Sequence, residues 1–241
     1  MRRILLLGLG SLTLLLAACG GTTPGAVGGT SPRAVLNGAI AAAKTSGSFH
    51  YVLVATAAGT TQSVVGDTSA SEGRQILSTG SAKIEAEAIG KTVYVQGNVG
   101  GLENQLSFPS AEATRYAGKW ISIVPADSPY SSVVRAVTLA SALTQIEPTG
   151  HLTLTAATTR SGHAVIGVRG PLPGTATKGV TGSIVLYVST TSPSLPVTFE
   201  GKATGSGKTE TDIGHFTRWG KPLDLVAPSG TIAYSTLSTS G

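Results

Sequence analysis

The side chains that could support catalysis or bind a metal ion are scattered along this chain. No two of its four histidines stand at the spacing that metal ligands use, and no Gly-x-Ser-x-Gly elbow marks an activated serine. Glu85 and Glu87 alternate on one predicted strand and could form a carboxylate pair, although a solvated strand face is the commoner explanation. The histidines are His50, His151, His163 and His215. We therefore expect that the chain is not an enzyme and has no catalytic residues, no cofactor and no metal site.

A glycine- and lysine-rich segment, GKATGSGKT at 201–209, invites comparison with a phosphate-binding loop. That loop requires a glycine five residues before its Gly-Lys pair, and this position holds Lys202 here. The segment also lies between two predicted strands, whereas the phosphate-binding loop joins a strand to a helix. The pattern therefore predicts a hairpin turn and not a nucleotide site.

The single cysteine carries the strongest chemical signal in the chain. It follows a basic start at Met1–Arg3 and an apolar run over Ile4–Leu16, which is the pattern of a secretory signal peptide. This run is shorter than the roughly 20 residues that cross a bilayer. Leu16-Ala17-Ala18-Cys19 resembles the lipobox of bacterial lipoproteins. We expect residues 1–18 to be a lipoprotein signal peptide and Cys19 to carry the lipid, the alternative being a plain signal peptide with a chance cysteine.

Lipidation would place the mature chain outside the cytoplasm, anchored to the cell membrane. Residues 19–30 contain glycine, threonine and proline without charge or apolar periodicity, so we expect a flexible tether. No disulfide can form when the only cysteine is lipidated. Loss of Arg2 and Arg3 reduces 17 basic residues to 15, against 12 acidic ones. These charges form no dense basic cluster, which argues against nucleic acid as a partner.

The period of the apolar residues changes along the rest of the chain. Ser31-Pro32 opens a predicted helix that stops at Gly47. A central helix is predicted over Ser131–Ile146, where apolar residues recur every three or four positions, and one helical turn over Ser110–Tyr116. Alternating patterns predict strands at 49–56, 61–66, 74–78, 82–88, 92–96, 119–124, 151–157, 163–169, 182–189, 196–203, 208–217 and 223–226. We expect residues 31–241 to form one α+β domain, a strongly curved antiparallel sheet or half-barrel with a few helices packed on its concave face.

Several segments are similar to those of a known protein family. They are TSGSFHY at 45–51, GKTVYVQGN at 90–98, AGKWISI at 117–123, GSIVLYVSTTSPSLPVTFEG at 182–201 and HFTRWGKPLDLVAP at 215–228. Together with the lipobox they resemble the LppX/LprG-type lipoproteins of the LolA/LolB-like superfamily. In that family a half-barrel wraps around helices and encloses an apolar cavity for acyl chains. The resemblance implies a domain that binds or carries a lipid or glycolipid, and we expect this domain to be a monomer.

The implied cavity would lie behind the central helix. Aromatic residues make up only 5% of the chain, and thin Ala, Gly, Val and Thr side chains could leave space on a curved sheet, although high-GC codon usage would enrich the same residues. The predicted lining residues are Val133, Val137, Ala140, Leu143, Leu53 and Trp120. The alternative function is a non-enzymatic protein-interaction or envelope-sensing module of the same fold. An apolar cavity would favour lipid binding, whereas a filled core with an exposed apolar patch would favour the interaction module.

Overall fold

The computed structural model describes residues 31–173 and 180–237. The predicted signal peptide, Cys19 and the tether lie outside the described residues. In the part of the chain that the structure describes, no helix combines the length and the apolar character that a membrane span requires.

The first helix, α1 (Pro32–Ser46), begins and ends where the sequence predicts. Ser31 Oγ accepts a hydrogen bond from the Ala34 backbone N–H at 3.2 Å, and Pro32 occupies the first helical turn, where its missing N–H costs nothing. Gly47 ends the helix at a φ of 77°, a left-handed conformation that glycine adopts without strain. The apolar face that α1 packs against the sheet consists of Leu36, Ala39, Ile40 and Ala43.

The predicted α+β fold is confirmed, because helices cover one face of a curved sheet that does not close into a barrel. Thirteen strands of the described residues form this sheet. They are β1 (Ser48–Ala57), β2 (Thr60–Ser69), β3 (Glu72–Thr79), β4 (Ala82–Ile89), β5 (Thr92–Gly97), β6 (Ile121–Ile123), β7 (Thr153–Leu154), β8 (Thr158–Arg160), β9 (His163–Pro171), β10 (Val180–Ser189), β11 (Pro196–Gly205), β12 (Lys208–Thr217) and β13 (Ile232–Ala233). Two antiparallel meanders, β1–β6 and β9–β12, join where β1 pairs with β12, and β13 runs parallel to β6 at one edge.

The predicted last strand at 223–226 is wrong. After β12 the chain leaves the sheet and crosses to the far edge, where Ile232–Ala233 pair with β6. Because β12 is hydrogen-bonded to β1 on one side and to β11 on the other, the chain that follows has no free strand beside it until it reaches β6. The predicted strand at 151–157 is also too long. Only Thr153–Leu154 of this range pair with β9 as β7, and β8 pairs with another part of the same edge of β9.

Four further helices lie between β5 and β7. The helix α3 (Ser110–Tyr116) matches the helical turn predicted there, whereas α2 (Val99–Leu106) has no counterpart in the predicted helices. The predicted central helix is in fact two helices, α4 (Tyr130–Val137) and α5 (Leu139–Ile146). They are separated at Thr138, whose backbone is extended, with φ −95° and ψ 145°.

The break at Thr138 has its cause in the sheet. The Val137 carbonyl accepts a hydrogen bond at 3.0 Å from the hydroxyl of Thr68, which is fully buried. Gly73 on β3 permits this approach, because a Cβ there would overlap the same carbonyl. The freed carbonyl is thus satisfied by the sheet instead of by a continuing helix. The break shifts the helical phase, and Ala140 is exposed, contrary to the prediction that it faces the sheet.

Two clusters of buried apolar side chains fill the helix-covered face, which we call the inner face. The first cluster lies beneath α1 and α5 and includes the aromatic residues Phe49, Tyr51, Phe199 and Phe216. The second lies beneath α2, α3 and α4 and includes Val93, Val95, Ile121 and Ile123. Leu77 of β3 is half-buried and packs against both clusters, so it marks the boundary between them.

Candidate functional site

The residues predicted to line a cavity behind the central helix range from fully buried to exposed. Val137 and Leu143 are each 1% exposed and belong to the second and the first core cluster, respectively. A side chain that lined a space wide enough for an alkyl chain would present surface to that space, so neither residue does so in this structure. Val133 is half-buried against the second cluster, and Ala140 is exposed.

Leu53 and Trp120, the two lining residues predicted on the sheet, are far apart. Leu53 is half-buried on β1 and packs against the first cluster. Trp120 is half-buried immediately before β6, five places from β1 in the order of strands. At about 4.8 Å per strand the sheet separates them by roughly 24 Å along its surface. The six predicted residues are therefore not gathered around one cavity.

An open cleft of about 480 Å³ lies on the inner face at the boundary between the two clusters, and we call it the inner cleft. Its floor includes Leu77 and Ile84, apolar residues of β3 and β4. Hydroxyl and amide side chains surround this floor: Thr60, Gln62, Thr79, Ser81, Asn104 and Gln105. Clefts of roughly 300–1,000 Å³ with apolar surface and a few polar groups are typical of small-molecule sites. The lining therefore suits an amphipathic ligand.

The α2 wall of the inner cleft is fixed by Asn98. Its Oδ1 accepts hydrogen bonds from the backbone N–H of Gly101 at 2.9 Å and of Lys83 at 3.0 Å, and its Nδ2 donates to the Ser81 carbonyl at 2.6 Å. Gly101 lets the helix approach β4 so closely that a Cβ would overlap the Lys83 carbonyl. Asn98 is a helix-capping residue type, but the two glycines after it disfavour a helix in propensity terms. This explains why the wall is not evident from the sequence.

A carboxylate that the described residues leave unpaired lies further along the inner face. Asp212 of β12 is paired in register with Ala55 of β1, which is paired with Gln62 of β2 in the lining of the inner cleft. Oδ1 of Asp212 is buried and has no hydrogen-bond partner among the described residues. Burial, and to a lesser extent the negative charge of Glu210, raises the pKa of Asp212 to about 6. A carboxyl with this pKa changes its charge close to neutral pH.

Charged residues on the opposite face, the outer face, pair with one another. Glu85 and Glu87 share this face as predicted, and Arg74 binds both, with Nε–Oε1 distances of 2.6 Å and 3.4 Å. Burial raises the pKa of Glu87 even though Arg74 acts in the opposite direction. Asp67 accepts a hydrogen bond from Arg218 and lies 2.9 Å from His50 Nδ1. Within residues 31–173 and 180–237, no group of three or more His, Cys, Asp or Glu residues is arranged to hold a metal ion.

Apolar side chains are exposed in the middle of the outer face. Val52 is paired with Val65, which is paired with Ile76, and Val54 is paired with Ile213. Val54, Val65 and Ile213 are 39%, 38% and 49% exposed. We call these five residues the outer apolar patch. Val65 and Ile76 each lie two residues along their strand from the ion-paired Asp67 and Arg74.

The segment at 201–209 forms the hairpin that the sequence predicts. It contains the end of β11 and the start of β12, and Ser206 and Gly207 between them both have positive φ, at 52° and 72°. Two-residue connections of this kind match the twist of antiparallel strands. The lysines of this segment therefore flank a tight turn.

Comparison with known proteins gives only distant likenesses. No protein-family model matches the chain, and no curated protein matches it. The crystal structure of MucB in complex with MucA(peri) is 15% identical with a TM-score of 0.40; the match covers 83% of this chain and 60% of that one. A domain from Vibrio parahaemolyticus, assigned to outer membrane lipoprotein sorting, is 6% identical with a TM-score of 0.24, covering 76% of this chain and 92% of that one. At these values neither likeness assigns a function.

Proposed function

We propose that this chain is a lipid-binding lipoprotein of the cell envelope, anchored outside the membrane through Cys19, and that it binds lipid without catalysing a reaction. The secretory pattern and the Leu-Ala-Ala-Cys sequence support the anchor. A curved, open sheet with helices on its inner face agrees with the fold that the resemblance to LppX/LprG-type lipoproteins implies. The ligand is the acyl chain of a lipid or glycolipid.

The inner cleft is the observation that carries this proposal. Its floor includes Leu77, the half-buried residue that packs against both core clusters. An alkyl chain laid on Leu77 and Ile84 would continue the apolar surface of both clusters. Each buried methylene contributes about 0.8 kcal/mol, so eight methylenes would supply roughly 6 kcal/mol before the cost of ordering the chain. The hydroxyl and amide groups around the floor would face the polar end of the ligand.

The packing of the helices limits where the acyl chain of the ligand can enter. Val137 of α4 and Leu143 of α5 are close-packed against the sheet. A ligand behind these helices would therefore have to displace core side chains. The lining of the inner cleft at Leu77 is mostly half-buried or exposed, so an acyl chain that enters there displaces less core surface than one that enters behind α4 and α5. We therefore place the acyl chain in the inner cleft and not behind the central helices.

Replacement of Leu77 tests this site. Leu77→Trp places a ring on the cleft floor, and we expect the affinity for a fluorescent acyl probe to fall about tenfold or more while the melting temperature changes little. Leu154→Trp is the matched control, because Leu154 is also a half-buried strand leucine against the first cluster but does not line the cleft. Equal probe binding by wild type and both variants would contradict the inner cleft as the site.

Native mass spectrometry identifies the ligand. The chain from residue 20 onward, exported by the producing organism behind a signal peptide that is not lipidated, should carry a co-purifying lipid whose mass is read directly. Chains that leave the cell without bound lipid, and that bind no acyl probe afterwards, would contradict lipid binding.

The anchor is tested on the full chain. Cys19→Ala removes the only thiol, so we expect the protein to move from the detergent phase to the aqueous phase or to remain unprocessed. Unchanged partitioning of the variant into the detergent phase would refute the lipid anchor on Cys19.

A protein-interaction module is the second candidate, and the outer apolar patch favours it. Three of its five residues are more than a third exposed, and the interior behind α4 and α5 is filled. Under this alternative, Ile213→Lys should release a membrane-associated partner captured by cross-linking while leaving acyl binding unchanged. Retention of the partner, together with loss of acyl binding in Leu77→Trp, would leave lipid binding as the function.

A further inference from the structure

Asp212 is a carboxylate on the inner face for which the described residues provide no partner. Its Oδ1 is buried, and no described residue donates a hydrogen bond to it or forms an ion pair with it. A buried oxygen that lacks a donor costs roughly 1–3 kcal/mol. The fold therefore keeps this carboxylate at the expense of its own stability, which is common at binding sites.

The strand neighbours of Asp212 are small. Its neighbours in register are Ala55 on β1 and Gly201 on β11. A Cβ at position 201 would lie 3.3 Å from Leu172 Cδ1 and 3.5 Å from Asp212 Oδ2, so glycine leaves room for the Leu172 and Asp212 side chains beside each other. Ala55 and Asp212 are both half-buried, which means that the inner face is open to solvent here. A ligand group can therefore approach the Asp212 side chain from its solvent-exposed side, whereas Oδ1 itself is buried.

A row of residues across the strands joins Asp212 to the inner cleft. Ala55 is paired with Gln62, and Gln62 with Thr79, and the last two line the cleft. Asp212 lies two strands from Gln62, about 10 Å at 4.8 Å per strand. A ligand whose alkyl chain rests on Leu77 can extend its polar end along this row to Asp212.

We propose that Asp212 binds the head group of the lipid and selects a head that donates a hydrogen bond, an ammonium above all, over an anionic head. This inference rests on the acyl site proposed in the inner cleft. An ammonium brings donors and a positive charge, whereas a hydroxyl brings only a donor. A carboxylate or phosphate would be repelled by Asp212 and by Glu210, which lies two residues away on the same face of β12. The inner-face neighbours of this pair on β1 and β11 are Ala55, Ala57, Gly201 and Ala203, none of them charged.

Three probes with the same twelve-carbon chain test the selection by competition with a fluorescent acyl probe. Dodecylamine carries an ammonium, dodecanoylglycerol carries hydroxyls, and dodecanoate carries a carboxylate. We expect wild type to bind dodecylamine most tightly, dodecanoylglycerol next, and dodecanoate at least about tenfold more weakly than the amine. The comparison of the first two probes distinguishes an ammonium from a hydroxyl as the donor.

Asp212→Asn keeps the shape of the side chain and removes its charge. We expect this variant to lose the preference for dodecylamine over dodecanoate by about fivefold or more, with less than twofold change for dodecanoylglycerol. Asp224→Asn is the matched control, because it removes an exposed carboxylate outside the inner face and alters net charge equally. Its three affinities should equal those of wild type.

A pH series on unmodified protein gives a second measurement that does not depend on any variant. Since burial raises the pKa of Asp212 to about 6, the preference for dodecylamine over dodecanoylglycerol should shrink as the pH falls below that value. Equal affinities for all three probes, or a preference that survives both Asp212→Asn and acidic pH, would overturn the selection while leaving acyl binding intact. Failure of every probe to bind wild type would instead overturn the proposed function, and this inference with it.

Discussion

Two parts of the inner face are built from equally small residues but differ in what covers them. Beneath α1, aromatic rings lie flat on glycines of the neighbouring strand: Tyr51 covers Gly66 and Phe199 covers Gly214, each so closely that a Cβ would overlap the ring. Beside Asp212, the atom nearest to a Cβ at Gly201 belongs to Leu172 and stands 3.3 Å away. Small residues on a sheet therefore do not create a cavity by themselves, because a ring from the next strand can fill the space they leave.

This contrast changes where a ligand can bind. A chain low in aromatic residues suggests spare volume throughout the interior, yet four of its rings, Phe49, Tyr51, Phe199 and Phe216, are concentrated in the first core cluster. These rings fill the space in the first cluster, whereas the space toward the far ends of the strands stays open. Ligand binding is therefore expected where rings are missing, along the inner cleft and the row that leads to Asp212.

The largest effect should come from adding one methyl group under a ring. Gly214→Ala inserts a Cβ into the Phe199 ring within the buried core, and we expect a loss of about 3 kcal/mol in the free energy of unfolding, the upper end of overpacking costs. Gly201→Ala is the same change on the adjacent strand, where the nearest atom is 3.3 Å away, and it should cost less than about 1 kcal/mol. Urea denaturation of both variants measures the difference. Equal losses would mean that the two parts of the face are packed alike.

A smaller effect is expected from enlarging a side chain at the central helices. Val137, the last residue of α4, is 1% exposed, so Val137→Trp should lower the free energy of unfolding by about 2 kcal/mol through overpacking. Leu77→Trp, at the half-buried boundary between the clusters, should cost less than about 1 kcal/mol. Thermal unfolding followed by circular dichroism compares the two variants. A Val137→Trp protein that melts with wild type would show that a cavity behind the helices accepts the ring, and would return the ligand site to the region predicted from the sequence.

The features that the sequence predicts well depend on residues close together in the chain. Ser31 and Gly47 bound α1 by capping their own helix, and alternation identifies most of the strands. The break at Thr138 could not be predicted in this way, because Thr68, whose hydroxyl donates to the Val137 carbonyl, lies 69 residues before Val137. Only the folded sheet brings Thr68 to Val137, and a regular apolar spacing gives no sign of that contact.

The orientation of β12 shows why the Asp212 site is not evident from the sequence. Alternation of apolar and polar residues would turn Ile213 inward and Asp212 outward at this end of the strand. In the structure Ile213 is 49% exposed and Asp212 faces inward. Phe216 and Gly214 fix this orientation, because they pack with Phe199 in the first cluster, and a strand cannot reverse its faces within two residues. The apolar pattern of one segment is overridden by the packing of the next.

The smallest effect, a gain in stability, isolates the open end of the inner face. Folding raises the pKa of Asp212 from its ordinary value near 3.8 to about 6, chiefly by burial, so the folded state favours the neutral carboxyl. Its contribution to stability is fully present below about pH 4 and is lost as the pH rises through 6.

Asp212→Asn has no charge to bury and should therefore be more stable than wild type by about 1 kcal/mol at pH 7.5. The full pKa shift is discounted because the side chain is half-exposed. At about pH 3.5, where the wild-type carboxyl is protonated in the folded state and mostly protonated in the unfolded state, the difference should fall to about 0.2 kcal/mol. Urea denaturation of wild type and variant at both pH values cancels every other titrating group. A variant no more stable than wild type at pH 7.5 would mean that water solvates Asp212 well. The open part of the inner face would then admit water freely to this carboxylate, unlike the filled part.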